Sequence, residues 1–265
     1  MPIITEPFAY RRIPMKDEKT LAFINMFAIL GCIPKLCELD RESSELIRGE
    51  NISLGISVKD GPAATLRFRD GSVQIEQGAQ DCVIRIPMSS CRKFNGMIDG
   101  KVTPIPTKGL TKVGFLLKTF TRLTDRLTKY LRCSPEDLED EEFFRISTTL
   151  MFHVITEAIA QIGNNDKVGM ASASYIVDGV IRLSAGDGPC LGIQARDHIL
   201  TGLHSAPESW TSYMEFADMK LARRLFDGQV NAVTCVGRGE VRIGGMISQV
   251  DNVNRILGRV AMYLA

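Results

Sequence analysis

The sequence predicts an α+β protein of two similar units, each with an antiparallel or mixed sheet covered by helices and a long closing amphipathic helix. The length of 265 residues suits two domains of about 130 residues. Short motifs recur in the same order in the two halves. Six Asp-Gly dipeptides, typical of tight hairpin turns, punctuate short apolar segments. We place the boundary after residue 133, which gives predicted units 1–133 and 134–265.

Two pairs of matching segments indicate a duplication. FNGMIDGKV in the first half corresponds to ARRLFDGQV in the second, and both contain an Asp-Gly turn. Further along, LTDRLTKYL corresponds to ILGRVAMYL, which aligns Arg126 with Arg259 and Tyr130 with Tyr263. An internal repeat affects the interpretation of the whole fold, so it is considered before any single motif. The sequence therefore favours two copies of one unit.

Each predicted unit begins and ends with helix. Apolar residues at helical spacing predict opening helices over 17–31 and 34–48 in the first unit and over 135–162 in the second. Ser134, followed by a proline, is a natural N-cap for the second opening helix. The closing helices are KVGFLLKTFTRLTDRLTKYL and SQVDNVNRILGRVAMYL, the latter capped by Ser248, and each has one broad apolar face.

The middle of each unit is predicted to be sheet. The expected strands are ISLGISV, AATLRFR, SVQIEQG and CVIRIP in the first unit, and SASYIV, GVIRLSA, PCLGIQA, SYMEFAD, VNAVTCVG and EVRIGGM in the second. Strands this short and this close in sequence usually pair antiparallel.

The balanced composition indicates that partners are not chosen by the net charge of the chain. With 32 Lys and Arg against 31 Asp and Glu, there is no overall basic field to hold a nucleic acid or an anionic membrane. The longest apolar stretch, LAFINMFAILGCI, is shorter than the ~20 residues that span a bilayer, so we expect a buried helix and no integral membrane span. The first twenty residues lack a signal-peptide core, and the seven Cys form no disulfide or zinc pattern, which together favour the cytoplasm.

One stretch of the second unit resembles the sterol carrier protein family. LARRLFDGQVNAVTCVGRGEVRIGGM, followed by the closing helix, is similar to the family's order of a helix ending in a Gly turn, a strand, and a Gly-x-apolar-x-apolar-x-Gly strand. The matching glycines are Gly228, Gly239 and Gly244. In the first unit CRKFNGMIDGKVTPI matches well, but the last strand is missing, so we expect a shortened sheet there.

The resemblance implies an apolar cavity for a sterol, an acyl chain or a similar molecule, enclosed by the sheet and the closing helix. Under this hypothesis the closing helices contribute the lining, and the predicted ligand-binding residues are Phe115, Leu116, Phe120, Leu123, Val253, Ile256, Leu257 and Val260. An apolar helix face is equally typical of an ordinary core, so both interpretations stay open at this point.

The sequence offers no arrangement typical of catalysis. His153 falls among apolar helical positions, while His198 and His204 flank a segment that we interpret as a surface loop. Their spacing does not fit a zinc site, and Cys190 and Cys235 are expected to be buried thiols. We therefore expect no enzyme, no catalytic or metal-binding residue and no cofactor.

Two functions remain open. The first is the non-catalytic binding or transfer of a lipid-like ligand, without nucleic acid. The alternative is a ligand-free protein-interaction scaffold, or an accessory protein to an enzyme, and either could involve a homodimer or an enzyme partner.

Overall fold

The computed structural model describes residues 16–264; residues 1–15 of the first predicted unit and Ala265 lie outside the described residues. The helices are α1 (Glu18–Leu39), α2 (Arg41–Ile47), α3 (Cys91–Ile98), α4 (residues 110–131), α5 (Glu141–Asn165), α6 (Lys167–Ala173), α7 (Met219–Phe226), α8 (Ala232–Gly237) and α9 (Ile247–Leu264). Helices α1 and α5 are the opening helices, and α4 and α9 are the closing helices. Two π-helical segments occur, Ile24–Ile29 in α1 and Leu116–Phe120 in α4.

The strands form two separate sheets. They are β1 (Ile52–Val58), β2 (Ala63–Arg69), β3 (Ser72–Gln77), β4 (Ile84–Met88), β5 (Gly179–Ala185), β6 (Cys190–Arg196), β7 (Ile199–Leu203), β8 (Ser212–Phe216) and β9 (Val241–Gly245). The strand order is β3-β2-β1-β4 in the first sheet and β7-β6-β5-β8-β9 in the second. The α+β class is therefore confirmed.

The two sheets share one pattern of strand pairing. In the first, β1 pairs antiparallel with β2 and parallel with β4. In the second, β5 pairs antiparallel with β6 and parallel with β8. Both sheets are mixed, which the predicted fold class allowed, although the short strands had favoured antiparallel pairing. The reason is that the chain after β3, and again after β7, leads to the opposite edge of the sheet instead of turning back as a hairpin.

A glycine makes room for this crossing in the first sheet. Cys82, in the segment between β3 and β4, lies directly over Gly55 of β1. A Cβ at Gly55 would stand 2.5 Å from the Cys82 sulfur, well inside van der Waals contact. Close packing of the crossing segment on β1 therefore depends on the absence of a side chain there.

The first sheet has four strands and the second has five. In the second, β9 pairs antiparallel with β8 and covers its outer edge. In the first sheet, the described residues pair with the outer edge of β4 only through an isolated bridge between Arg85 and Lys108. No counterpart of β9 exists within residues 16–264, because the chain enters α4 after a short irregular segment.

The opening helices lie in the core and pack against each other. The Cys32 sulfur of α1 lies 3.5 Å from the carbonyl oxygen of Leu150 of α5. Helix α1 is the one described helix that is long and apolar enough to cross a membrane, but 61% of its apolar window is buried inside the protein. Ala22, Ile24 and Met26 are all fully buried, as in the core helix of a globular fold.

The predicted ends of the first opening helices were wrong. Helix α1 runs without a break to Leu39, because a 3-10 turn, Leu30–Cys32, accommodates Pro34 inside it. It stops at Asp40, whose carboxylate accepts a hydrogen bond from the Ser43 amide and caps the separate helix α2.

Four elements of the second unit also differ from the prediction. Ser134 caps only the 3-10 turn Glu136–Glu139, and Asp140 caps α5. The predicted strands SASYIV and VNAVTCVG are the end of α6 with its following turn and helix α8, because Asp166 and Asn231 cap those helices. The predicted loop between His198 and His204 is strand β7.

Candidate functional site

The second unit encloses an apolar cavity beneath its closing helix. Opening helix α5, strands β5 and β8, helix α7 and helix α9 all contribute to its wall. The lining residues are Phe152, Ile155, Thr156, Ile159, Leu183, Met214, Phe216, Phe226, Val253 and Leu257. The single polar side chain, Thr156, donates its hydroxyl to the carbonyl of Phe152 at 2.8 Å. The cavity therefore offers an apolar ligand no unpaired polar group.

Three phenylalanines form one wall of the cavity. The ring centroids of Phe152, Phe216 and Phe226 lie 5.3–5.7 Å apart, and each pair meets edge to face. Such aromatic pairs stabilise by about 0.5–1.5 kcal/mol each beyond the area they bury. This wall ties α5, β8 and α7 together, so it forms a rigid side of the cavity.

The cavity is small as the structure stands. Its free volume is about 10 Å³, roughly the space of one water molecule, and an apolar void of this kind stays dry. Pockets that hold drug-sized ligands measure about 300–1,000 Å³. A ligand can therefore enter only if the wall opposite the phenylalanines moves.

Helix α9 provides that opposite wall, and among the described residues its side-chain hydrogen bonds to other elements lie near its two ends. Near its start, Gln249 accepts from Thr211 at 2.8 Å and donates to the Val177 carbonyl at 2.9 Å. Ser248, inside the helix, is not its cap as predicted, because α9 begins at Ile247. The cavity lies beneath the middle of α9, at Val253 and Leu257, where the contacts are apolar.

The structure brings two of the predicted ligand-binding residues to the cavity, Val253 and Leu257. Ile256 and Val260 are buried nearby, and Ile256 faces Gly163 of α5 rather than the cavity. Because no ligand is present, these positions stay predictions as ligand contacts. Sequence reasoning missed the contributions of α5 and α7, although the run of apolar residues around α5 is typical of a helix buried on several sides.

The four predicted residues of the first closing helix lie in the first unit, away from this cavity. Phe115 packs edge to face on Phe68 of β2, with 5.0 Å between ring centroids. Leu116 and Leu123 are buried, and Phe120 is half-buried against the same core. They also stay predictions as ligand contacts.

Each closing helix is joined to the start of a short helix by a buried carboxylate. In the first unit, Arg126 donates to Asp40 from Nε at 2.8 Å, and Tyr130 donates to it at 3.0 Å. Burial alone would raise the pKa of Asp40, but hydrogen bonds from Arg126, Ser43 and Tyr130 hold it below its usual range. Burial and the bond to Asp40 raise the pKa of Tyr130 to about 12.

The second unit repeats this arrangement with the aligned residues. Arg259 donates to Asp166 at 2.7 Å, and Tyr263 donates to the same carboxylate at 2.8 Å. Asp166 also accepts from the Gly169 amide at 2.9 Å and so caps α6. Burial would raise the pKa of Asp166, but the bonds from Arg259, Gly169 and Tyr263 lower it. These carboxylates are fully occupied and hold the fold together.

The histidines form a cluster that the sequence did not reveal. His153 of α5 and His204, at the end of β7, stack with their Nδ1 atoms 3.2 Å apart. His204 Nε2 lies 3.1 Å from Oε2 of Glu157. Burial, together with the nearby His204 and Lys35, lowers the pKa of His153 to about 3. Spacing along α5 pairs His153 with Glu157, but nothing in the sequence indicates that β7 brings His204 to them.

All seven cysteines are free thiols. Cys235 is buried, as expected, whereas Cys190 is half-buried. Within residues 16–264, no group of three His, Cys, Asp or Glu side chains is arranged to hold a metal ion.

Comparison with known proteins finds likeness only among solved structures. No protein-family model and no curated protein matches the sequence. Sterol carrier protein domain 2 of Helicoverpa armigera is 12% identical, with a TM-score of 0.35 over 43% of this chain and 89% of that chain. The ubiquinone synthesis protein UbiJ-SCP2 is 16% identical, with a TM-score of 0.32 over 42% of this chain and 98% of that chain. A sterol carrier protein 2 is 10% identical, with a TM-score of 0.31 over 42% and 92%.

Proposed function

We propose that the chain consists of two tandem sterol-carrier-like units, and that the second unit binds a lipid-like hydrophobic molecule beneath α9. The observation that carries this proposal is the cavity, with no unpaired polar lining group, under the middle of α9, whose side-chain hydrogen bonds to other elements within residues 16–264 lie near its ends. A sterol or an acyl chain has the matching chemistry, because it needs buried apolar surface and few polar partners.

The tandem arrangement is supported by shared topology and by a shared side-chain cluster. The strand orders β3-β2-β1-β4 and β7-β6-β5-β8 are equivalent. In both units a carboxylate that caps the helix after the opening helix binds an Arg and a Tyr of the closing helix. The Arg and the Tyr of each cluster are the residues that the sequence repeat aligns.

Binding requires the cavity to enlarge. The phenylalanine wall is rigid, so the volume must come from the side of α9, Met214 and Leu257. Met214 is an adaptable thioether, and Leu257 is only partly buried. The measured affinity is then the intrinsic affinity reduced by the fraction of molecules in the open state. We therefore expect moderate affinity and low selectivity among apolar ligands.

The proposed role is non-catalytic carriage or presentation of the ligand in the cytoplasm, without nucleic acid. The protein partner in this proposal is a second copy of the chain or an enzyme. Seven free thiols fit a reducing compartment. The histidine cluster, whose side chains could take part in acid–base chemistry, lies outside the residues that line the cavity.

Binding of a fluorescent fatty acid and of a fluorescent sterol tests the proposal, with native mass spectrometry of the purified protein for co-purified lipid. Leu257→Trp fills the rim of the cavity and should weaken probe binding at least tenfold, equivalent to about 1.4 kcal/mol. Leu264→Trp is the matched control, because Leu264 lies on the same helix outside the cavity and is 37% exposed. Equal binding by both variants, or no wild-type binding of either probe, contradicts the proposal.

The packing of the opening helices favours a second candidate, a ligand-free interaction scaffold. Helices α1 and α5 join the two units through buried contacts such as that of Cys32 with Leu150. Under this alternative the cavity is an ordinary packing defect. Leu257→Trp then lowers only stability, by the ~1–3 kcal/mol typical of overpacking, and no probe binds.

A further inference from the structure

One segment of the first unit carries a strong local positive charge. The stretch of residues 100–124, here called the basic segment, contains four Lys and one Arg and no Asp or Glu. The whole chain is nearly balanced, with 32 basic and 31 acidic residues. All five basic side chains of the segment are exposed: Lys101, Lys108, Lys112, Lys118 and Arg122.

The same segment exposes large apolar side chains. Ile105 is 75% exposed, Leu110 is 66% exposed and Leu117 is 70% exposed. Val83, which is 43% exposed, adjoins them, because Gly109 packs directly on its backbone carbonyl. A group of uncovered large apolar residues marks an interaction site more often than chance exposure does.

Two of the lysines are free to bind a partner. Lys112 and Lys118 have no hydrogen bond or ion pair to any residue within 16–264, whereas Lys101 pairs with Asp99 at 3.0 Å. Leu110 and Leu117 lie on the same helix as these lysines and are seven residues apart, close to two turns. Charge and apolar surface therefore occur together at the start of α4.

The opposite side of this helical segment is fixed to the protein. Phe115 and Leu116 are buried in the first core, and the hydroxyl of the buried Thr119 donates to Glu50 at 3.0 Å. The exposed leucines therefore belong to an ordered, anchored element. Such an element can present them to a partner without the entropy cost of ordering a loop.

The corresponding place in the second unit is built differently. There β9 pairs with β8 and closes the edge of the sheet. In the first unit, the edge strand β4 meets the basic segment through the single bridge between Arg85 and Lys108. In chain order, the basic segment thus stands where the second unit has β9.

We propose that the basic segment docks the protein on membranes that contain anionic lipids. Leu110, Leu117 and Ile105 enter the boundary between headgroups and acyl chains, and the lysines pair with the anionic headgroups. Apolar side chains next to exposed lysines match a lipid surface, which supplies both chemistries side by side. A nucleic acid would satisfy the charge but leave the leucines in water, so it is the less complete match.

Vesicle flotation tests this proposal with the full chain. We expect binding to phosphatidylcholine vesicles that contain phosphatidylserine and little binding to vesicles of phosphatidylcholine alone. Each lysine near an anionic surface contributes about 1 kcal/mol, so Lys112→Gln with Lys118→Gln should weaken partitioning about thirty-fold. Leu110→Ser with Leu117→Ser should also weaken it, at unchanged net charge.

The controls change the same residue types elsewhere on the surface. Lys93→Gln with Lys220→Gln removes two exposed lysines outside the basic segment, and Val233→Ser with Ile199→Ser removes two exposed apolar side chains. Both control pairs should bind vesicles as the wild type does. Absence of binding to phosphatidylserine vesicles, binding that the control pairs weaken equally, or binding only to an oligonucleotide would overturn the proposal. Because none of the substituted residues lines the α9 cavity, the fatty-acid assay stays an independent readout.

Discussion

The Tyr263 hydroxyl donates a hydrogen bond of 2.8 Å to the Asp166 carboxylate and so joins the last turn of α9 to the first turn of α6. Tyr130 and Asp40 make the equivalent bond, at 3.0 Å, in the first unit. In both units the tyrosine is almost fully buried and the carboxylate caps a helix. The pair therefore fixes where the closing helix ends on the rest of its unit.

Replacement of this tyrosine by phenylalanine should destabilise the protein measurably. Tyr263→Phe removes a bond to a buried charged acceptor, worth about 1.5–3 kcal/mol, although Arg259 stays bound to the carboxylate. We expect a lower free energy of unfolding in urea at an unchanged slope. Tyr175→Phe is the control, because Tyr175 is 72% exposed and should lose nothing. Equal stability of the two variants would show that the bond contributes little.

The histidine cluster makes stability depend on pH. The pKa of His153 is about 3 in the folded protein and about 6.5 in the unfolded chain. Because folding favours the neutral ring, this contribution is fully present above pH 6.5 and is lost progressively as the pH falls toward 3. The slope is at most about 1.4 kcal/mol per pH unit.

Urea unfolding at several pH values between about 6.5 and 5 measures this dependence, before most carboxylates titrate. His153→Gln should flatten the slope, whereas His198→Asn, at an exposed turn residue, should leave it unchanged. A wild-type slope that survives in His153→Gln would assign the dependence to other groups.

Two helical glycines should respond in opposite directions to alanine. A Cβ at Gly169 of α6 would stand 2.2 Å from the carbonyl oxygen of Ile162, so Gly169→Ala should destabilise by about 1–3 kcal/mol. A Cβ at Gly114 of α4 meets no atom within 4 Å, so Gly114→Ala should stabilise by about 0.5–1 kcal/mol through helix propensity. Thermal unfolding of both variants checks this, and shifts of the same sign would mean that the packing of α6 on α5 is looser than described.

Local patterns in the sequence were enough to predict the class of fold, the closing helices and the alignment of Arg126 with Arg259. They could not reveal Asp40 and Asp166 as the partners of those arginines, because each carboxylate is more than 80 residues away along the chain. The parallel pairing of β1 with β4 was missed for the same reason, since it depends on where the crossing segment leads. Local capping by Asp166 and Asn231 outweighed strand-like composition in two segments.

The candidate site, like the fold, could be predicted only in part. Val253 and Leu257, from the apolar stripe of α9, line the cavity, and their role as ligand contacts stays a prediction. The phenylalanines at 216 and 226 were not expected there, because their approach to Phe152 depends on the packing of α5 and α7 against the second sheet. The spacing of apolar residues identifies the buried face of a helix. It does not show where the packing of that face against neighbouring elements leaves a cavity.

Methyl NMR spectroscopy during titration with a fatty acid tests the central claim most directly. Binding beneath α9 should shift the methyl resonances of Val253, Leu257 and Met214 together and saturably, while those of Leu264 on the same helix should move little. The leucines of the basic segment, Leu110 and Leu117, should also stay unchanged in the absence of membranes. If no fatty acid or sterol shifts the three cavity methyl groups, or if only exposed methyl groups respond, the second unit does not bind a lipid beneath α9.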